Sequence, residues 1–285
     1  DEYMFTQFCY HYRQWQRSPN VVMRLEQKAG EKLFLGFSGK KLYLTDPDTG
    51  QLPPVETFVG VLGASQLTYG EAVLTQQKED FILATERALH YIGGVIACIV
   101  TDNLQAAVHK SNKYEPSLNE TFADFADHYD TVVIPTRAYK PRDKALVENS
   151  VRIVYQRIYA KLRHQVFHTL EQLNMAIGEV LAIHNQTPFQ NRPYSRRELF
   201  EQTEQAELQP LPSAGYDFKH YAYSTVYKNS HVYLRKDKHY YSVPSSYVGR
   251  KVKLIYSTNS VSIYHRYECI AQHTRQLSAY DYTTK

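Results

Sequence analysis

The chain has 285 residues, with 33 Lys+Arg against 29 Asp+Glu, 43% hydrophobic residues and 22% charged residues. This composition excludes a disordered or collagen-like polymer and leaves room for two domains, while a net charge of +4 neither demands nor excludes a nucleic-acid partner. Cys9, Cys98 and Cys269 lie far apart with no C-x-x-C, which excludes a disulfide framework or zinc ribbon and predicts buried, reduced thiols in a cytoplasmic protein.

Residues 1–28 read as a helix and linker. EYMFTQFCYHYRQWQ carries apolar and aromatic side chains at helical spacing, and Ser18-Pro19-Asn20 breaks the pattern. The start is polar and aromatic, unlike a signal peptide, and the apolar run Ile92 to Val100 is far short of a membrane span. An Asp at position 1 fits a fragment of a longer protein. EKLFLGFSGKKLYLTD holds two short apolar runs, and ETFVGVLGAS resumes after a turn at Asp46 to Pro54, which predicts an antiparallel meander. KEDFILATERALHYIGG predicts a helix with Phe81, Leu83, Ala84, Ala88 and Tyr91 near one face and Gly93-Gly94 as its stop.

VIACIV is a continuously apolar strand of the kind covered on both faces. PSLNETFADFADHYD predicts a helix with Phe122, Phe125 and Ala126 inward, and TVVIPT a further strand. After the polar loop RAYKPRDKA, LVENSVRIVYQRIYAKLRH is an amphipathic helix with Val147, Val151, Val154, Ile158 and Leu162 on one face, and TLEQLNMAIGEVLAIHNQ is a second helix. A meander followed by alternating helices and strands predicts an α/β fold, a mixed sheet flanked by helices.

Pro210 to Phe218 is a Pro/Gly/Ser-containing boundary. Beyond it Val232/Leu234, Tyr241/Val243, Val252/Leu254/Tyr256 and Val261/Ile263 repeat with period two, predicting about five strands in a small antiparallel β-barrel. Residues 216–285 hold 11 Lys/Arg and 4 Asp/Glu, a net of +7 that leaves −3 for the rest, together with 13 of the 25 tyrosines. Cations beside exposed tyrosines suit phosphate contact and base stacking; half-buried tyrosines under a solvated lysine face are the other reading.

Two acids stand out by context. Asp102 directly follows the strand VIACIV, at the sheet rim where ligands and metals collect in α/β folds. Glu148, with 45 residues between it and Asp102, lies near the start of the long helix, off its Val147/Val151/Val154 stripe and beside Asn149. Arg137, Lys140, Arg142, Lys144, Arg152, Arg157, Lys161 and Arg163 surround it in sequence. Carboxylates ringed by cations fit a metal-dependent phosphodiester site; a helix-capping Asp102 and a surface Glu148 are the plainer alternative. No P-loop, G-x-S-x-G or H-E-x-x-H motif is present.

Three segments, GEKLFLGFSGKKLYLTD, IVTDNLQAAV and YKPRDKALVENSVRIVYQRIYAKLR, resemble the retroviral-integrase-type catalytic core, and more closely the IstA-type transposases of bacterial insertion sequences. The resemblance runs from about residue 29 to 285. It implies an RNase H-like core at 29–165, a helical extension and linker at 166–215 and a basic DNA-binding barrel at 216–285. It also implies a DDE site holding two Mg²⁺ ions, with Asp102 and Glu148 as second and third acids, that nicks transposon ends and joins them to target DNA. The partners it implies are transposon-end and target DNA, a second protomer and a helper AAA+ ATPase, with no membrane, in the bacterial cytoplasm at the nucleoid.

The family's first acid falls in the first core strand, where this chain has Gly36. Two closely spaced metals need that bridging carboxylate, so the expectation is a crippled transposase, with a catalytically inactive DNA-binding or assembly module as the alternative. An RNase H-type nuclease without strand transfer ranks third, because it has no use for the terminal barrel. Near the site, Arg137, Lys140, Arg142, Lys144, Asn149 and Arg152 are the expected DNA contacts; in the barrel they are Arg235, Lys236, Lys238, Arg250 and Lys251.

Overall fold

A computed structural model describes Gln7 and residues 27–101, 108–110, 117–118, 120–135 and 155–284. The expected helix of residues 1–28 lies outside the described residues apart from Gln7 and the last two positions. In chain order the first unit contains β1 (Lys32–Phe37), β2 (Leu42–Tyr43), β3 (Pro54–Leu62), β4 (Thr68–Val73), α1 (Lys78–Ile92), β5 (Cys98–Thr101), β6 (Val108–Lys110), β7 (Ser117–Leu118), α2 (Glu120–His128), β8 (Val132–Pro135), α3 (155–162), α4 (Leu170–Gln186) and α5 (Arg196–Leu199).

The main sheet has the order β2-β3-β1-β5-β8, with β4 also on β3. β3 is antiparallel to β1 and β4, whereas β5 runs parallel to β1 and β8 parallel to β5. Helices cover both faces, so this is the RNase H-like mixed sheet expected from the sequence, and β1 lies between the antiparallel and parallel halves.

Alternation along the strands sorts side chains into two layers. Leu33 and Leu35 of β1 face α1 and α2, where Phe58, Phe81, Phe122 and Phe125 are fully buried. Their rings meet in series, Phe58–Phe81 at 5.5 Å, Phe81–Phe122 at 5.6 Å and Phe122–Phe125 at 5.9 Å. Phe34, Val59, Val61, Cys98 and Val100 face the other way, against Ile158 and Leu162 of α3 and Leu173, Ile177 and Leu181 of α4. Ile158 and Leu162 are thus inward as the sequence predicts; Val147, Val151 and Val154 lie outside the described residues.

The α1 stripe is broader than its spacing implies. Ile82 and Leu89 are buried with Phe81, Ala84 and Ala88, whereas Tyr91 is exposed. Its hydroxyl accepts from Asn185 Nδ2 at 3.0 Å and Arg197 Nη2 at 3.1 Å, which keeps it at the rim. Gly93 ends α1 in the left-handed conformation (φ 83°), and its N–H donates to Leu89 O.

β4 is an edge strand whose outward backbone groups are matched by α4. Asn174 accepts from Ala72 N (2.6 Å) and donates to Ala72 O (3.0 Å). Three helical turns later, Asn185 does the same with Thr68 N (3.1 Å) and Thr68 O (2.8 Å). Gly70 sits between them, where a Cβ would stand 3.1 Å from Leu181 Cδ1, so the helix comes close only over glycine.

The boundary at 210–218 is a strap rather than a free linker. Val95 and Gln209 exchange both backbone hydrogen bonds, and a Cβ on Gly94 would stand 2.7 Å from Leu208 Cβ. Tyr216 packs among Phe125 and its neighbours, and its hydroxyl donates to Asp124 Oδ2 at 2.9 Å. Glu86 Oε1 accepts from both Tyr129 OH (2.7 Å) and Tyr216 N (2.8 Å).

The second unit contains β9 (His220–Thr225), β10 (His231–Leu234), β11 (His239–Ser242), β12 (Lys251–Tyr256), β13 (Ser260–His265), β14 (Glu268–Thr274) and β15 (Tyr282–Thr283). They form a four-stranded sheet, β14-β13-β12-β9, and a three-stranded sheet, β10-β11-β15. Every inward position named from the period-two pattern is in their shared core, joined by Val226. The strands stay in two sheets and do not close into one barrel. Cys98 is buried as expected, while Cys269, on a strand of this unit, is exposed.

Candidate nucleic-acid interface

Position 36 can be located from the strand register. Leu35 pairs with Thr101, the last described residue of β5, and Gly36 pairs with Val59 of β3. Gly36 and Asp102 therefore each follow one member of the same residue pair in sequence. Gly36 is buried and shares its strand face with Phe34, the face on which α3 lays Ile158 and Leu162. Its φ is not positive, unlike that of Gly30, Gly50, Gly93 and Gly249, so the backbone at 36 does not require glycine. Cys98 fills the same layer, and burial pushes its thiol up to about 11, which keeps it protonated and unreactive.

Four of the described acids in this unit have partners. Glu31 pairs with Lys32 at 3.0 Å. Asp46 accepts from the backbone N–H groups of Thr49 and Asp48, which hold its carboxyl below the usual range. Glu56 pairs with Lys41 at 2.8 Å, and Glu71 takes Arg87 Nε on both oxygens at 2.8 and 3.0 Å. Among the described residues no three His, Cys, Asp or Glu side chains gather as a metal site. Among the described residues, glycine at position 36 offers no side-chain oxygen to bridge two divalent ions. Asp102, Arg137, Lys140, Arg142, Lys144, Glu148, Asn149 and Arg152 lie outside the described residues.

The basic surface of the second unit is described throughout. Lys219 and Lys253 point to the first unit, where Asp124 (2.9 Å) and Glu120 (2.8 Å) of α2 neutralise them. Arg235 and Lys251 are exposed and line one cleft of about 260 Å³ with Tyr223, Ser224, Thr225, Tyr227 and Tyr233. Of the five expected barrel contacts, the structure brings these two together. Lys236, Lys238 and Arg250 are exposed but do not line the cleft, and Lys238 Nζ lies 5.7 Å from the Tyr280 ring.

Strand pairing explains the cleft. On β9, Tyr221, Tyr223 and Thr225 point outward while Ala222 packs against the core. β12 places Lys251 opposite Thr225 and Lys253 opposite Tyr223. Each ammonium lies over the next tyrosine, Lys251 over Tyr223 at 5.4 Å and Lys253 over Tyr221 at 4.6 Å. The tyrosines of this cleft were not singled out from sequence; the alternation Tyr223-x-Thr225-x-Tyr227 is a signal for two of them, and Tyr233 joins from β10.

Residues 211–285 match the family model for the Mu transposase C-terminal domain. Over 276 residues (97% of this chain, 53% of the relative) the chain is 39% identical to a candidate transposase of Sinorhizobium fredii. Over 282 residues (99% and 54%) it is 39% identical to a candidate transposase of insertion sequence IS408 from Burkholderia multivorans. The catalytic core domain of BIV integrase superposes with a TM-score of 0.42 at 10% identity, covering 61% of this chain and 95% of that one. The chain spans about half the length of the curated relatives it matches. It is a homologue of the insertion-sequence transposases.

Proposed function

We propose that this chain is the RNase H-like core and C-terminal part of an insertion-sequence transposase, acting on transposon-end and target DNA, with cleavage and strand transfer impaired at position 36. The supporting observation is the register at Gly36: an ordinary strand position beside the Leu35–Thr101 pair, buried under the α3 face, with no carboxylate. Asp102 and Glu148 remain as second and third acids, leaving a weakened magnesium site. Arg137, Lys140, Arg142, Lys144, Asn149 and Arg152 then contact DNA near the core, and the exposed cations of residues 216–285 contact it from the second unit. The division into 29–165, 166–215 and 216–285 follows the same reading, as do a second protomer, a helper AAA+ ATPase and a place at the nucleoid.

The test is Gly36→Asp beside the parent chain, each assembled as the full-length protein, with pre-cleaved transposon ends and a target plasmid in magnesium buffer. The aspartate variant is expected to join ends at least tenfold faster (~1.4 kcal/mol of barrier), with DNA affinity unchanged. Equal, robust joining by both proteins sinks the impaired-site reading. DNA binding without joining in either protein favours a non-catalytic assembly module.

A further inference from the structure

We infer that the cleft between β9, β10 and β12 takes an unpaired nucleotide of DNA, with its base against the tyrosines and its phosphate on Arg235 and Lys251. This rests on the DNA-binding reading above and adds the strand state of the ligand. The charge argument comes first. Among the described residues neither Arg235 nor Lys251 has an acidic partner, and no acid lines the cleft. Lys219 and Lys253, by contrast, are neutralised by the first unit. Two cations lining one small cleft with no acidic partner among the described residues are a place for an external anion.

The rings make that anion a nucleotide. Tyr223 is 60% exposed and Tyr227 49% exposed, and both line the same cleft as the two cations, so their ring faces are open to a stacking partner there. The far wall is already assembled. Tyr227 and Tyr233 lie 6.2 and 4.7 Å from Tyr240, which stacks on Tyr282 at 4.5 Å with 10° between the planes. Rings braced this way lose little freedom when a base arrives.

Size and accessibility select the unpaired form. At about 260 Å³ the cleft falls below the roughly 300–1,000 Å³ of drug-sized sites, so it suits one base rather than a groove-spanning duplex. A duplex keeps its base faces inside the stack and offers tyrosine only sugar and phosphate edges. An unpaired base offers a free face, and stacking on it tolerates any sequence.

The experiment is fluorescence anisotropy of the chain with a labelled oligothymidine and with a labelled duplex of equal length, across a salt series. Tyr223→Leu with Tyr227→Leu is expected to weaken oligothymidine binding about tenfold or more and to leave duplex binding within about twofold. Tyr223→Phe with Tyr227→Phe keeps both rings and is expected to retain binding. Arg235→Gln with Lys251→Gln is expected to weaken both ligands and flatten the salt dependence. Unfolding midpoints matching the parent establish that the variants are folded. A leucine pair that leaves oligothymidine binding intact, or weakens both ligands equally, overturns the inference, as does loss of binding in the phenylalanine pair. Unchanged affinity and salt slope in the glutamine pair overturns the DNA-binding reading of this face itself.

Discussion

The two units use aromatic residues in opposite ways. In the first, phenylalanines without polar atoms fill the space between sheet and helices, several edge to face, and Tyr129 and Tyr216 bond polar partners only at the margin of the layer. In the second, rings carry polar atoms that tether the chain. His239 Nδ1 donates to Ser278 O at 2.7 Å, Tyr241 OH accepts from Gln276 N at 2.9 Å, and Tyr240 stacks on Tyr282. A small two-sheet unit has little interior, so side chains that are apolar on one side and hydrogen-bonding on the other do more there. The surplus rings remain outside, where they can meet a ligand.

The largest expected effect tests the apolar half of this contrast. Phe81 is fully buried and touches Phe37, Phe58 and Phe122. Phe81→Ala should cost about 3–5 kcal/mol in urea unfolding; a loss under about 1 kcal/mol would mean the ring series is not the core's support. The polar half is tested next. Asp237 is buried and grips Arg275 through two bonds of 2.7 Å, while a third guanidinium nitrogen donates to Ser257 O at 2.7 Å. Asp237→Ala leaves that cation nearly buried and uncompensated, so the second unit should lose about 3 kcal/mol, read as an earlier transition in its tyrosine fluorescence. The smallest effect belongs to the surface rings. Tyr267, at a hairpin tip, is fully exposed, and Tyr267→Ser should move stability by no more than about 0.5 kcal/mol. A larger shift in thermal unfolding would show that exposed tyrosines of this unit also support the fold.

Much of the fold was legible because burial leaves a period. Val232, Leu234, Val252, Leu254, Val261 and Ile263 announce their strands by alternation, and all are in the second core. Phe122, Phe125 and Ala126 do the same for α2 at helical spacing. Tyr91 misled because its ring continues the α1 stripe while its hydroxyl seeks the polar rim, and spacing does not encode that choice. The strap at 210–218 looked like a linker because its composition is that of a loop; its anchors are backbone pairing and contacts with Glu86 and Asp124, far away in sequence. Of the site, Gly36 was found by its segment, and Arg235 and Lys251 by charge. The cleft joining those two cations to Tyr223, Tyr227 and Tyr233 depends on pairing among three strands, which one-dimensional pattern reading does not reach.

The asparagine pair of α4 carries a consequence for assembly. An edge strand ordinarily offers its outward amides and carbonyls to any extended peptide that comes by. On β4 those of Thr68 and Ala72 are taken, because Asn174 and Asn185 present the same amide groups as a neighbouring strand would. A strand from another molecule would have to strip away a 17-residue helix before gaining its first backbone hydrogen bond. The sheets of two copies therefore do not merge along this flank, and contacts made on this side have to run through side chains of α4.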